Sequence, residues 1–192
     1  MRLPDVILLN GATSSGKTSI ARALQTALPQ PYLHVGIDTI FPMLPPSLCE
    51  TPQGYRFEHE PDGAMPIVLG EGFLDVARAW RRMIRAGVNA GQRFVIDDVW
   101  LTPADRPDWE AALAGVDTFF VGVRCDLAEL QRREIARGDR GIGQALSQQK
   151  TVHSHGPYDL VVDTTHGSSE ACTAQILSAL DGPTGPPVFA QA

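Results

Sequence analysis

The chain has 192 residues, of which 43% are hydrophobic and 20% charged, with a net charge of -6 and a pI near 5.3. That length and balance suit one globular domain with a real core. There is no basic block and no basic stretch interleaved with aromatics, which argues against a nucleic-acid partner.

Residues Asp5 to Asn10 form a short apolar run, too short for a signal segment or a membrane span, and read as a strand. After Lys17 the stretch IARALQTAL has apolar residues at helical spacing, and Pro29 and Pro31 stop it. YLHVGID, residues Tyr32 to Asp38, is the next strand. Residues Phe41 to Leu69 carry several prolines and weak periodicity. They read as an insertion on the acceptor side, with a small hairpin pairing Tyr55 to Phe57 with Pro66 to Val68. GEGFLDVARAWRRMIRAG is an amphipathic helix expected to end at Gly87. RFVIDDVW is a buried strand ending in two carboxylates, and Pro103 to Ala114 is a helix.

DTFFVGVRC is a further strand, followed by the charged helix DLAELQRREIARGDR and a short helix around Gly143 to His153. YDLVVDT is the last strand and SSEACTAQILSAL the last helix. The segment from Gly182 to Ala192 reads as a frayed, flexible tail after a single domain over residues 1–181. Strands that alternate with helices and are apolar throughout predict an α/β fold with a parallel sheet of five strands and helices on both faces. Cys49, Cys125 and Cys172 are far apart and odd in number, so they read as buried or inert thiols of a reducing cytoplasm.

Gly11 to Thr18, GATSSGKT, fits G-x-x-x-x-G-K-[ST] between a strand and a helix. Such a loop curls so that backbone N–H groups face nucleotide phosphates. Gly11, Ala12, Thr13, Ser14, Ser15, Gly16, Lys17 and Thr18 are therefore the predicted ATP cradle. Lys17 is expected on the β- and γ-phosphates and Thr18 on Mg²⁺. Of Asp97 and Asp98, one is expected to serve the metal; strand alternation prevents both from pointing the same way, and Asp97 is preferred. Asp98 is then left for the acceptor.

Asp38 stands where the second strand should end, the place where ligands gather in open parallel sheets. It can accept the proton of an acceptor hydroxyl, or it can cap a short helix beginning at Thr39. Arg133, Arg137 and Arg140 lie at i, i+4 and i+7 and so share one helix face. Such a run can be a solvated basic face, or the Arg-bearing lid that small kinases carry after the fourth strand; as a lid it spans residues 133–145, hinged at Gly138, Gly141 and Gly143, with Arg137 and Arg140 expected on the transferring phosphoryl group and Arg133 left to stack on adenine. His153 and His155 lack a third ligand nearby and read as a surface or helix-end pair.

Taken together, NGATSSGKTS, VGIDT, VIDDVW, VGVRCD, ARGDR and YDLVVDTTH resemble the chloramphenicol phosphotransferases from about Asp5 to Leu180. The resemblance implies a P-loop NTPase of the nucleoside-monophosphate-kinase-like fold that moves a phosphoryl group from ATP, with Mg²⁺, to the primary hydroxyl of chloramphenicol. It places the family's catalytic aspartate on Asp38. Segment 41–69 cannot be matched residue by residue, and it is where an acceptor would be chosen. Phe41, Met43, Leu44, Phe57 and Trp100 are the expected pocket for a small-molecule alcohol. The alternatives are the same chemistry on a nucleoside, sugar or nucleotide sugar, and a nucleotide-dependent binding module without kinase activity. No membrane partner is expected.

Overall fold

The computed structural model describes residues 2–138, 141–182 and 188–191. The chain opens with β1 (Val6–Asn10), the loop 11–16 and α1 (Lys17–Ala27). β2 (Leu33–Gly36) follows, then three short 3-10 turns at Ile37–Thr39, Phe41–Met43 and Pro46–Leu48. β3 (Tyr55–Phe57) and β4 (Ile67–Leu69) pair as an antiparallel hairpin. α2 (Glu71–Asn89), β5 (Phe94–Asp98), α3 (Asp105–Ala112) and β6 (Thr118–Arg124) come next. They are followed by α4 (Leu127–Arg137), α5 (Gln144–Gln149), β7 (Leu160–Asp163) and α6 (Ser169–Asp181).

The main sheet is parallel, with strand order β2-β5-β1-β6-β7. β1 is central and all five of its residues are buried. Alternation along the strands splits the core into two layers. Val6, Leu8, Phe94, Ile96 and Phe120 face α2 and α3, where they meet Phe73, Trp80, Ile84 and Trp109. Ile7, Leu9, Val95, Phe119 and Val121 face α1 and α6, where they meet Ile20, Leu24, Ile176 and Leu180. Strands buried on both faces read as unbroken apolar runs, which is why the sequence shows no polar alternation there. A smaller cluster of Ala12, Leu130, Ala145 and Val152 seats α4 and α5 beside the loop that follows β1.

The order of elements matches the sequence expectation, several ends are shifted, and three differences have a clear physical reason. α2 passes through Gly87 to Asn89, because Gly87 serves packing and does not stop the helix: a Cβ there would lie 2.7 Å from the Phe94 ring. The second strand ends at Gly36, so Asp38 sits in a 3-10 turn. Within the tail expected to fray from Gly182, residues 188–191 pack on the core. Val188–Gln191 form a 3-10 turn in which Phe189 is buried, with its ring 5.3 Å from that of Phe120. The Val188 N–H donates to Asp159 Oδ1 at 2.8 Å. Among the described residues no helix is long and apolar enough to cross a membrane.

Candidate active site

The loop after β1 is held from three sides. Asn10, fully buried, donates to Val152 O at 2.7 Å and to Tyr158 Oη at 2.9 Å, and accepts from Trp100 N at 3.0 Å. Thr13 N donates to Gln148 Oε1 at 2.6 Å. Thr164 Oγ1 donates to Ser15 O at 2.8 Å. Ser14 (φ 60) and Gly16 (φ 89) take the left-handed backbone that curls the loop. Lys17 Nζ donates to Gly11 O and Ala12 O, each at 2.7 Å. The Ser15 hydroxyl is buried without a hydrogen-bond partner among the described residues. A loop curled by left-handed residues, with a lysine at its centre and a buried hydroxyl left unmatched, suits a polyanionic ligand.

Asp97 and Asp98 point to opposite sides of β5. Thr18 Oγ1 donates to Asp97 Oδ2 at 2.6 Å. Gly36 on the neighbouring strand makes room for this carboxylate, since a Cβ there would lie 2.0 Å from Asp97 Oδ1. Burial pushes the Asp97 carboxyl up, but His34, the Lys17 charge and the Thr18 hydroxyl together outweigh it, so its pKa falls below the ordinary range. His34 Nε2 stands 3.4 Å from Asp97 Oδ2, a long contact, with no hydrogen-bond partner among the described residues. A hydroxyl beside an ionised carboxylate is a hard-oxygen donor set that fits Mg²⁺. Asp98 turns to the opposite layer, where it accepts from Trp109 Nε1 at 2.6 Å and Val99 N at 2.7 Å. Complete burial raises its pKa.

Two cavities meet at this strand end. One, of about 790 Å³, is lined by the phosphate loop, Asp97, Arg133, Arg137 and the segment from Thr164 to Glu170. The other, of about 450 Å³, has the apolar wall Phe41, Tyr55, Phe57, Ile67, Leu69 and Phe73. Its polar lining is Asp38, Arg81, Asp98, Asp105, Gln144 and Gln148. Ile37, Asp38 and Val99 line both.

Asp38 is thus brought to the junction. Arg137 lies on the wall of the larger cavity, whereas Arg140 falls outside the described residues. Arg133, left by the sequence for adenine stacking, is anchored. It donates to Glu129 at 2.7 Å and to Thr164 O at 2.6 Å, and reaches Ser14 O at 3.5 Å. It therefore clamps α4 to the β7–α6 connection and to the phosphate loop. Of the residues expected to form the acceptor pocket, Phe41 and Phe57 line the apolar cavity and Met43, Leu44 and Trp100 do not. Met43 is 55% exposed, and Leu44 and Trp100 belong to the core. Tyr55, Ile67 and Leu69 stand on that wall because hairpin pairing turns one face of 55–57 and 67–69 inward, and Phe73 joins them from α2.

A profile described as chloramphenicol phosphotransferase-like protein matches residues 4–181. The chain belongs to this family. Two Mycobacterium tuberculosis proteins, from strains CDC 1551 and H37Rv and each named "Putative O-phosphotransferase", are 34% identical to it over 186 residues; the match covers 87% of this chain and 83% of theirs. Among solved structures, a sugar kinase from Janibacter sp. HTCC2649 aligns with a TM-score of 0.67 at 16% identity, covering 92% of this chain and 94% of that one. Shikimate kinase from Acinetobacter baumannii aligns at 0.57 and 15%, covering 92% of each. These two likenesses show a P-loop kinase fold. Membership of the chloramphenicol phosphotransferase-like family makes the chain a transferase that phosphorylates a hydroxyl group.

Proposed function

We propose that the chain transfers the γ-phosphoryl group of ATP to a hydroxyl of an uncharged alcohol with an apolar body, chloramphenicol being the first acceptor to test. One observation carries this reading: Asp38 lines both the phosphate-loop cavity and the apolar cavity. A carboxylate at that junction accepts the hydroxyl proton as the oxygen attacks the γ-phosphorus, and the bond from phosphorus to the β–γ bridging oxygen breaks to leave ADP. Phosphoryl transfer has a loose transition state, so holding the hydroxyl in line matters as much as removing its proton.

The chain's other groups divide the remaining work. Lys17 leaves its loop carbonyls for the β- and γ-phosphates, and the loop amides hold the β-phosphate. Arg137, joined by Arg140, offsets charge on the transferring group. Thr18 and Asp97 would hold Mg²⁺, which when bound would supply positive charge to offset that of the phosphates.

The acceptor's charge follows from the lining of the smaller cavity. Among the described residues Arg81 is the one cationic side chain there. It is 3% exposed and committed to Asp105 Oδ1 at 2.8 Å and Asp108 Oδ2 at 3.1 Å. With Asp38 and Asp98 on the same lining, a carboxylate or phosphate on the acceptor meets no spare positive charge among the described residues. This disfavours acidic acceptors such as shikimate, and the largely apolar wall offers few partners to the many hydroxyls of a bare sugar.

Asp38→Asn tests the assignment. Turnover is expected to fall by about 10²–10⁴, the usual worth of a general base, with ATP affinity nearly intact. Unchanged turnover would contradict it.

A further inference from the structure

The mechanism above leaves Gln148, a buried polar side chain on the apolar cavity, unused. Gln148 is 7% exposed and sits on α5. One end of its amide touches the phosphate loop, 135 residues away in sequence, accepting from Thr13 N at 2.6 Å. That donor fixes the orientation of the amide: the atom facing Thr13 N–H is the oxygen, so the NH₂ points elsewhere. The amide nitrogen takes no partner among the described residues, and Gln148 lines the apolar cavity. A primary amide with its acceptor committed and its two donors open, on a polar lining that includes Asp38, Asp98 and Asp105, is a donor to a ligand oxygen.

The helix that carries Gln148 is tied to the acceptor-side hairpin. Met65 N donates to Gly143 O at 2.9 Å, immediately before α5. Lys150, immediately after it, donates to Asp62 Oδ2 at 3.0 Å. The cavity wall, α5 and the phosphate loop are therefore linked through short, named contacts.

We propose that Gln148 is the positioning residue that registers the acceptor against the phosphate loop: its oxygen holds Thr13 N–H and its NH₂ donates to an oxygen of the bound acceptor. The inference rests on the assignment of the two cavities to nucleotide and acceptor. Because the contacts are shared, occupancy of the phosphate loop tightens α5 and the hairpin, and coupling of this kind is reciprocal.

Hydrogen–deuterium exchange with Mg²⁺ and a non-hydrolysable ATP analogue tests this without an acceptor. In the wild type the analogue should slow exchange over 11–18 and also over 55–69 and 144–152. In Gln148→Ala the slowing should be confined to 11–18. Equal slowing at the distant segments in both proteins, or none there in the wild type, would overturn the proposal. No slowing over 11–18 in the wild type would overturn the nucleotide-site reading on which it stands.

Gln148→Glu gives the second arm, since it keeps an oxygen for Thr13 N–H and removes the donor. With chloramphenicol as acceptor, its KM should rise on the order of tenfold or more, the usual cost of leaving a hydrogen-bonding group of the substrate unmatched. A purely structural role would leave KM unchanged, and that result would overturn the donor role. A wild type that makes no phosphorylated drug would reject chloramphenicol as acceptor, while the exchange comparison would still decide the role of Gln148.

Discussion

Glu134 decides whether the segment after α4 is seated, and truncating it gives a quantitative test. It is 2% exposed, and its two carboxylate oxygens accept from Gly143 N and Ala145 N, each at 2.9 Å. A hydrogen bond to a charged group contributes about 1.5–3 kcal/mol. Glu134→Gln keeps one acceptor oxygen but turns an NH₂ toward the other backbone N–H, so the loss should be about 2 kcal/mol. Glu134→Ala removes both bonds and leaves two buried donors unmet, about 3–6 kcal/mol on the same count. Local detachment of the six-residue α5 would cap the global loss at the free energy that docks it.

For a domain of this size, about 2 kcal/mol corresponds to a fall in Tm of roughly 4–8 °C. Urea and thermal unfolding measure the stability, and turnover measured well below Tm shows whether the seated α5 is needed for transfer. Glu134→Ala should lose more stability than Glu134→Gln, and both should lose turnover. An alanine variant with wild-type Tm and turnover would refute the reasoning.

Two other substitutions extend the test. Phe189→Ala removes a ring 6% exposed and packed on Phe120 and Trp100; it should cost about 3 kcal/mol in urea unfolding, whereas a neutral result would mean that the 188–191 turn merely rests on the surface. His153 is lowered from 6.5 to about 4, chiefly by burial, and its Nδ1 lies 2.8 Å from Tyr158 Oη, which also accepts from Asn10. The folded state holds this ring neutral while the unfolded chain takes up a proton below about 6.5, so its contribution is present above that pH and is lost as pH falls toward about 4. His153→Gln should flatten that limb of the stability profile, as read from urea midpoints across the range; an unchanged slope would assign the limb to other groups.

Much of the fold was legible because each signal was local. β1 and the loop after it are a contiguous motif, the strands are uninterrupted apolar runs, and the hairpin was found within one residue. Period-two alternation allowed only one of Asp97 and Asp98 to face Thr18, and the structure brings Asp97 there. What stayed hidden depends on contacts distant in sequence. Gln148 sits in QALSQQK, which carries no motif, and its meaning comes from Thr13. Glu134 lies among arginines and looks like a solvated partner for them, yet it folds inward onto the backbone ahead of α5. Phe189 follows a Gly- and Pro-rich stretch whose composition suggests fraying, and only the exposed rings of Trp100 and Phe120 in the absence of that turn would call for a cover. The acceptor wall was half-read because short 3-10 turns and a three-residue hairpin leave no clear periodicity to say which side chains turn inward.

The most direct test of the central claim is product analysis by mass spectrometry after incubating the purified protein with Mg²⁺, ATP and chloramphenicol, in parallel with shikimate, and with Lys17→Ala as control. The account predicts phosphorylated chloramphenicol from the wild type, none from Lys17→Ala and no phosphorylated shikimate. Phosphorylation of shikimate with none of chloramphenicol would contradict the claim that this site selects an uncharged alcohol with an apolar body.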